Sequence, residues 1–446
     1  MGSGSPGGPP SADDLAACLR VLELARDAGP DDPAFAAVRQ AVGVVYRAEK
    51  KARRAARRTE RRARDLDVLA AATRFREQDP APVPEVAGEP VGTLVAARSC
   101  YVCKEPYRTV DADYHQLCPD CAAENRVRRH ARADLTGRVA LVTGGRIKIG
   151  FQLALKLLRD GAEVLVTTRF PRDAARRFAA VPDAADWLDR LHVRGVDLLD
   201  LASVAGLLDA VHARFDHLDV LVNNAAQTIR RPAAYHREVR EREAQPLLGT
   251  AADVDVAAPR ALPVPAADAF FPAGRTDETG QPLDLRPANS WTLRLHEIDP
   301  AEWMETQLVN AFAPFLLTSR LRGLLAASPF PDRYVVQVSA IEGSFARAGK
   351  TVRHAHTNMA KASLNMLVRT AAADYAADGI HMTSVDTGWV TDERPHPGKA
   401  AQRAAGFRPP LDVVDGAARV YDPIVRGVRG ERLSGVFLKD YRPVAW

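Results

Sequence analysis

The chain has 446 residues, of which 46% are hydrophobic and 26% are charged, and its formal net charge is +5. No apolar run reaches the 18 residues of a membrane-spanning helix, so the composition excludes that class and predicts a soluble chain with one large domain and smaller ones. The five cysteines, with no secretory signal visible, predict a reducing, cytoplasmic setting.

The N-terminal part predicts a tail followed by helices. Residues 1–10, MGSGSPGGPP, are typical of a disordered tail, and residues 11–78 predict a helical basic region. Ser11 is a candidate N-cap for a first helix that stops at a Gly-Pro pair, and a longer helix is expected from about Pro33.

Positive charge is concentrated in the longer helix. Residues 47–64 contain ten Lys or Arg and two Glu, a net charge of +8 that leaves the rest of the chain at about −3. Basic residues on all sides of the helix, with no aromatic residues between them, favour a solvated connecting helix. Nucleic acid, an acidic partner and a membrane surface are the alternatives, and a neighbouring zinc module would favour nucleic acid among them.

A four-cysteine motif follows a Pro-rich linker at residues 79–97. Residues 98–130 hold it as C-x2-C-x14-C-x2-C, formed by Cys100, Cys103, Cys118 and Cys121. This spacing suits a tetrahedral zinc site, and four thiolates would close the shell, so a structural metal is expected. Disulfides are the alternative, which the missing secretory signal and the unpaired Cys18 disfavour.

Residues 134–446 predict an α/β fold. Apolar, β-branched runs such as VALVT (139–143), EVLVTT (163–168) and RYVVQVS (333–339) alternate with segments of helical period. Strands that are apolar throughout are buried on both faces, which predicts a doubly wound parallel sheet covered by helices. Cofactors on such sheets bind outside the carboxyl ends of the strands.

Five segments in this region resemble the short-chain dehydrogenase/reductase (SDR) family, in the family's order. They are RVALVTGGRIKIG (138–150), LDVLVNNAAQ (218–227), LVNAFAPFLL (308–317), YVVQVSA (334–340) and MTSVDTGWVT (382–391). The resemblance covers roughly residues 135–440 apart from one insertion. It implies a Rossmann fold and an oxidoreductase that moves hydride between a nicotinamide and a carbonyl or alcohol carbon.

The glycine-rich turn predicts a pyrophosphate site next to a helix N-terminus. Lys148 stands where the family has a glycine, and its side chain would either cap a phosphate or obstruct it. Thr168 and Arg169 end the second strand with no acid nearby, which favours NADP over NAD, unless Arg169 is a solvated surface charge. By resemblance, the cofactor contacts are Thr143, Gly144, Gly145, Arg146, Lys148, Ile149, Gly150, Thr168, Arg169, Asp197, Asn223, Ala225, Lys361, Thr387 and Gly388.

The catalytic set departs from the family at one position. The resemblance gives the serine, lysine and asparagine roles to Ser339, Lys361 and Asn310, but Thr357 replaces the tyrosine. A phenol titrates near pKa ~10, whereas an aliphatic alcohol is too weak an acid for the same task. His356 is a candidate acid or base, with a surface histidine as the alternative. The alternative function is therefore an inactive nucleotide-binding sensor or scaffold.

An insertion at about residues 229–295 separates two of the family segments. The insertion begins where the strand predicted in LDVLVNNAAQ (218–227) ends. It is therefore either a lid over the substrate or a partner, containing Arg230, Arg231 and Tyr235, or a loop without ordered structure. Tyr235 is a second candidate to reach the pocket. NSWTLRL (289–295) predicts a returning strand, which favours some order. Relatives pair through the helices carrying Asn310 and Lys361, which implies a homo-oligomer unless the insertion blocks it.

Overall fold

The computed structural model describes residues 9–75, 83–257, 264–266, 268–277 and 279–446. The predicted tail lies outside these ranges up to residue 8, as do residues 79–82 of the predicted linker and residues 258–263 of the insertion. The described chain forms two compact units, one of residues up to 67 with 94–96, and one of residues 68–93 and 97–446. Among the described residues, no helix is both long enough and apolar enough to cross a bilayer.

The helices are α1 Ala12–Asp27, α2 Ala36–Ala70, α3 Pro119–His130, α4 Lys148–Arg159, α5 Pro171–Ala179, α6 Leu201–Arg214, α7 Arg237–Ala244, α8 Pro300–Gln307, α9 Ala313–Arg320, α10 Arg322–Ala326, α11 Ala355–Ala377, α12 His396–Ala404 and α13 Val413–Val428. The strands are β1 Gly92–Ser99, β2 Pro106–Val110, β3 Val139–Thr143, β4 Glu163–Thr168, β5 Leu191–Gly195, β6 Val220–Asn223, β7 Asp255–Val256, β8 Arg333–Ser339, β9 Ile380–Asp386, β10 Val436–Lys439 and β11 Arg442–Val444.

The first unit is helical, as predicted. The Ser11 hydroxyl accepts a hydrogen bond from the Asp14 amide at 3.2 Å, and the Asp14 carboxylate accepts one from the Ser11 amide at 3.1 Å. This reciprocal pair confirms the predicted cap of α1. A short 3-10 turn, Pro33–Phe35, precedes α2, close to the expected start.

The expectation that basic residues surround α2 is wrong. The helix is continuous through residues 47–64, and at 100° per residue its ten Lys and Arg side chains fall within about half of the helix circumference. The opposite half carries small residues, which are Ala48, Ala52, Ala55, Ala56, Thr59 and Ala63. Residue spacing, rather than composition, decides this arrangement, because the gaps of three and four between arginines match the helical period.

The second unit is built on one nine-stranded sheet with the order β11-β10-β9-β8-β6-β3-β4-β5-β7. All neighbouring strands in it run parallel except β10 and β11. From β3 the chain builds outward through β4 and β5, then returns to add β6, β8 and β9 on the other side. This doubly wound order confirms the predicted Rossmann fold and puts its switch point between β3 and β6.

Alternate residues of the central strands face two separate apolar layers. Ala140 and Val142 of β3 pack in a core formed with α4, α5 and α13. Val139 and Leu141 pack in a second core formed with α6, α9 and α11. Because both faces are covered, the strand is apolar throughout, which is the sequence signal that predicted it.

The insertion is ordered over much of its described length. It forms a 3-10 turn, Ala233–His236, then α7, and then β7, which adds to the sheet beside β5. The predicted strand at 289–295 is wrong, because Asn289 starts a turn: its side chain accepts from the Trp291 amide at 3.1 Å, and its carbonyl accepts from the Thr292 amide at 2.9 Å.

The four-cysteine segment belongs to the second unit. It consists of α3, β2 and the residues of β1 outside 94–96, which pair antiparallel with β2. The Arg129 guanidinium of α3 contacts the carboxylates of Asp412 at 2.6 Å and Asp415 at 2.8 Å, at the start of α13. The Tyr114 hydroxyl donates to Asp415 at 2.8 Å, and all four side chains are buried. A buried ionic cluster therefore joins this segment to the last helix of the Rossmann domain.

Candidate active site

The glycine-rich turn joins β3 to α4 and approaches the neighbouring strand end closely. Gly144 has φ +71°, and a Cβ on Gly150 would lie 2.3 Å from the Gly144 carbonyl oxygen. The Thr143 hydroxyl accepts from the amides of Asn224 and Ala225, both at 3.0 Å. Ile147 at the α4 N-cap makes no side-chain cap, so the first-turn amides keep the geometry that suits a pyrophosphate.

Asn224, rather than the predicted Asn223, meets this turn. The Asn224 side-chain amide donates to the Thr143 carbonyl at 3.0 Å. The Asn223 amide donates instead to the Thr318 hydroxyl on α9, at 3.2 Å. Two adjacent asparagines at the end of a strand point to opposite sheet faces, and that alternation was the signal available in the sequence.

Lys148, the departure in the turn, forms an ion pair across the domain. Its Nζ lies 2.7 Å from the Glu393 carboxylate, which follows β9, and Glu393 also lies 3.0 Å from the Arg231 guanidinium of the insertion. Arg231 reaches Asp284 at 3.2 Å, further along the insertion. Burial alone would raise the pKa of Glu393, but Lys148 and Arg231 hold it well below its usual range. Sequence analysis did not identify Glu393.

Cationic groups gather at the end of β4. The Arg146 guanidinium contacts Asp173 at 2.7 Å, whereas Arg169 makes no ion pair among the residues that the structure describes. Arg169 lies 3.4 Å from the Nε2 of His236 in the insertion. Burial, with Arg169 and Arg146 nearby, lowers the pKa of His236 to about 2, so this imidazole is neutral. The insertion therefore closes over a cluster with excess positive charge.

Most remaining cofactor candidates lie at strand ends. The Thr168 hydroxyl accepts from the Phe170 amide at 3.1 Å, and the Asp197 carboxylate accepts from the Leu199 amide at 3.1 Å. The Gly388 amide, next to Thr387, donates to Asp386 at 2.6 Å. Gly145 and Ile149 serve packing: a Cβ on Gly145 would lie 2.6 Å from Val166, and Ile149 packs against Gly416.

Ser339 and Lys361 meet at the end of β8. The Ser339 hydroxyl donates to the Asn365 side chain at 2.7 Å. Lys361 Nζ donates to the Val338 carbonyl at 2.6 Å, and burial lowers the pKa of this lysine to about 8. Asn365 lies one helical turn beyond Lys361, so the i, i+4 spacing was a signal that sequence analysis did not use.

Asn310 lies in a π-helical turn, Leu308–Phe312. Its Oδ1 accepts from the Gln227 amide at 2.6 Å, and its Nδ2 donates to the Gln227 carbonyl at 2.8 Å. Both contacts are to the backbone just beyond β6. A single π turn re-aims side chains within a helix and is frequent at functional sites.

Thr357 and His356 occupy buried positions at the start of α11. The Thr357 hydroxyl donates to the His354 carbonyl at 2.9 Å, so it is turned back on its own helix. His356 is 1% exposed, and neither ring nitrogen has a hydrogen-bond partner in the described parts of the chain. Burial lowers the pKa of His356. The alternative of a surface histidine is therefore wrong.

Tyr235 contributes to the interior of the insertion. Its hydroxyl donates to the Gln281 side chain at 2.7 Å, and the Arg231 guanidinium lies 4.4 Å above its ring. Both partners belong to the insertion, so the phenol is engaged there. Arg230 contacts Glu305 of α8 at 3.0 Å, which ties the start of the insertion to the domain.

The four cysteines converge. Their Sγ atoms all lie within 4.8 Å of one another, and Cys103 and Cys118 are 3.7 Å apart. Zn–S bonds of about 2.3 Å in a tetrahedron place sulfurs about 3.8 Å apart, so the cluster has a suitable size. Next to it, the Tyr101 hydroxyl accepts from the Trp389 amide at 2.9 Å, one residue beyond Gly388.

Comparison with known proteins agrees with this geometry. The family model "short chain dehydrogenase" matches residues 138–244, and "Enoyl-(Acyl carrier protein) reductase" matches residues 287–406, together about half of the chain. The chain belongs to the short-chain dehydrogenase/reductase family. It is an oxidoreductase by family, with the tyrosine position occupied by Thr357.

Individual SDR relatives differ in how much of the chain they share. An uncharacterized protein of Acanthamoeba polyphaga mimivirus is 34% identical over 343 residues, 73% of this chain and 71% of the viral protein. Carbonyl reductase [NADPH] 1 of Sus scrofa is 44% identical over 91 residues, 20% of this chain and 30% of that enzyme. The solved structure of carbonyl reductase Sniffer of D. melanogaster is 18% identical with a TM-score of 0.47, covering 70% of this chain and all of that one.

Glu393→Gln tests the ion pair with Lys148 and Arg231. At pH 7 we expect the free energy of unfolding to fall by about 3 kcal/mol, because two cations lose their shared partner. Since the folded pKa is depressed, the stabilisation is present above the unfolded pKa of about 4.3 and is lost as the pH falls below it. The difference in the free energy of unfolding between variant and wild type should therefore become smaller as the pH is lowered toward 3.

Urea unfolding followed by tryptophan fluorescence measures this effect, since all five tryptophans lie in the second unit. Glu431→Gln is the control, because Glu431 pairs with Arg426 but is 59% exposed, and it should lower the free energy of unfolding much less than Glu393→Gln does. An equal loss in both variants, or a loss as large at pH 3 as at pH 7, would contradict the prediction.

Proposed function

We propose that the chain is an NADP-dependent oxidoreductase that interconverts a carbonyl and an alcohol. The observation that carries the proposal is Lys361, a buried amine beside Ser339 whose pKa is lowered by burial. Burying an amine without a carboxylate is costly, and such perturbed groups concentrate at functional sites. The group lies at the carboxyl ends of parallel strands, where ligands of this fold bind.

The residues at the glycine-rich turn fit the cofactor. The uncapped N-terminus of α4 would bind the pyrophosphate, and Arg169, with Arg146, would bind a 2′-phosphate. When bound, NADPH would supply or accept the hydride. The pig relative's name specifies NADPH, which supports the same choice over the matched segment.

Ser339 would hold the substrate oxygen, and His356 would exchange the proton. The Thr357 hydroxyl is a weak acid and is engaged with its own helix, whereas the His356 ring is buried without a hydrogen-bond partner among the described residues. The Gln307 side chain donates to the His356 carbonyl at 3.2 Å, one turn before Asn310. An imidazole can act as general acid or base near neutral pH.

Cofactor choice is tested with Arg169→Asp. We expect affinity for NADPH to fall at least about tenfold, because a charge-assisted hydrogen bond is worth roughly 1.5–3 kcal/mol, while affinity for NADH stays or rises. Titration followed by nicotinamide fluorescence measures both. Arg320→Asp, at another exposed arginine, is the control and should bind both cofactors as wild type does. An unchanged NADPH-to-NADH affinity ratio would refute the role of Arg169, and binding of neither cofactor to wild type would refute the nicotinamide site itself.

Proton exchange is tested with His356→Asn against Thr357→Val, on a carbonyl compound selected by screening the wild type with NADPH. The histidine variant should lose roughly 10²–10⁴ in kcat with unchanged NADPH affinity, whereas the threonine variant should keep most activity. Because burial lowers the pKa of His356, alcohol oxidation should not decline between pH 8 and 6.5. A larger loss from the threonine variant would identify Thr357, not His356, as the proton-transfer residue.

We also propose that Cys100, Cys103, Cys118 and Cys121 bind one structural zinc ion. Cys103→Ser should reduce bound zinc from about one per chain toward zero and lower the thermal unfolding temperature by several degrees, because the metal stabilises the fold around it. Zinc is measured by a chelating dye after denaturation. Cys18→Ser, at an exposed cysteine of α1, is the control and should change neither quantity. Full zinc retention in Cys103→Ser, or disulfides in the native protein, would refute the site.

A further inference from the structure

Helix α2 presents a dense positive surface that the oxidoreductase function does not use. The basic half of residues 47–64 consists of Arg47, Lys50, Lys51, Arg53, Arg54, Arg57, Arg58, Arg61, Arg62 and Arg64, and all ten are exposed. Arg54, Arg57, Arg58, Arg61 and Arg64 line a shallow groove with Glu60 and Val95, within the first unit. We propose that this basic face binds the phosphate backbone of duplex DNA.

The charge on this face is largely uncompensated. The described ion pairs are Glu49 with Arg53 and Glu60 with Arg64, both with exposed side chains. Arg54, Arg57, Arg58 and Arg61 make no ion pair among the residues that the structure describes. They lie three or four residues apart, where like charges destabilise a helix by roughly 0.2–0.5 kcal/mol per pair. A bound polyanion would relieve this repulsion.

The dimensions and chemistry match a DNA backbone. Residues 47–64 span about 26 Å at 1.5 Å per residue. Duplex DNA carries one negative charge per about 1.7 Å, so it presents about 15 charges over that length. The helix is about as wide as the major groove. Eight of the ten cations are arginines, whose planar guanidinium binds phosphate through two hydrogen bonds.

The remaining half of the helix favours a nucleic-acid duplex over a membrane surface. Ala48, Ala52, Ala55, Ala56, Thr59 and Ala63 provide no large apolar side chain, whereas membrane-surface helices insert Leu, Phe or Trp. Residues 47–64 contain no aromatic residue to stack on unpaired bases, and no Asn or Gln to read adenine edges. The face therefore fits a duplex bound through its phosphates.

Fluorescence anisotropy of the full chain with a labelled 20-base-pair DNA of arbitrary sequence tests the proposal. We expect a dissociation constant of roughly 10⁻⁴–10⁻⁶ M at physiological salt, and a slope of log K against log salt of about −5 to −9, because six to ten phosphate contacts are made. Combined Arg54→Gln, Arg57→Gln, Arg58→Gln and Arg61→Gln should make the slope shallower by roughly 4 and weaken binding at 50 mM salt at least tenfold.

The matched control removes the same charge elsewhere, as Arg20→Gln, Arg98→Gln, Arg320→Gln and Arg369→Gln, four exposed arginines outside the face. It should bind DNA nearly as the wild type does. Circular dichroism and NADPH titration verify that both variants keep their helices and their cofactor site, so failure here is separate from failure of the oxidoreductase assignment. Equal weakening in both variants, a slope shallower than about −2, or binding only to duplex RNA or to anionic vesicles would overturn the proposal.

Discussion

The Glu393 carboxylate links three segments that are distant in sequence. It pairs with Lys148 in the glycine-rich turn and with Arg231 in the insertion, and it belongs to the segment that follows β9. A lysine in that turn would otherwise repel the neighbouring arginines and project into the phosphate site. The pair instead draws the lysine toward the end of β9 and anchors the insertion beside it. The lysine that replaces a glycine in the turn and the ordered insertion are therefore connected through one carboxylate, that of Glu393.

At the position of the missing tyrosine, too, neighbouring protein groups take up polar side chains. Lys361 would stand beside a phenol in relatives, and here its amine donates to the Val338 carbonyl. Ser339 donates to Asn365, so the serine and the lysine both have protein partners, whereas the Asn365 Nδ2 and the His356 ring have none among the described residues. A substrate oxygen must compete with Asn365 for the serine hydroxyl.

Sequence patterns within single segments predicted the elements of the fold well. β3 and β4 match the apolar runs 139–143 and 163–168, because burial on both faces is recorded residue by residue in the sequence. The four-cysteine cluster and the cap at Ser11 were likewise predicted from the spacing of residues within one segment. The strand expected at 289–295 is absent because the Asn289 side chain accepts a hydrogen bond from the Trp291 amide and forms a turn, which the apolar pattern alone does not reveal.

The site was predicted less completely, since it depends on contacts across long stretches of chain. Motifs predict Ser339, Lys361 and Asn310 as site residues, but the partner of Lys148 lies 245 residues away, and no spacing rule reaches that far. The sequence leaves open whether His356 is an acid or base of the site or a surface histidine. One residue along a helix is a rotation of about 100°, and only packing decides which way the side chain faces. Asn224 and Asn365 carried readable signals that the motif comparison passed over.

The ionic cluster between α3 and α13 has a consequence for how the protein is made. Arg129 leaves the ribosome 286 residues before Asp415. At about 5–20 residues per second, this arginine waits roughly 15–60 s for its partner. During that time α3 lacks the helix against which its charge is buried, and the growing sheet lacks one of its covering helices. The four-cysteine segment therefore completes its packing only when α13 has been synthesised. The two ends of this unit finish folding together rather than in the order in which they are translated.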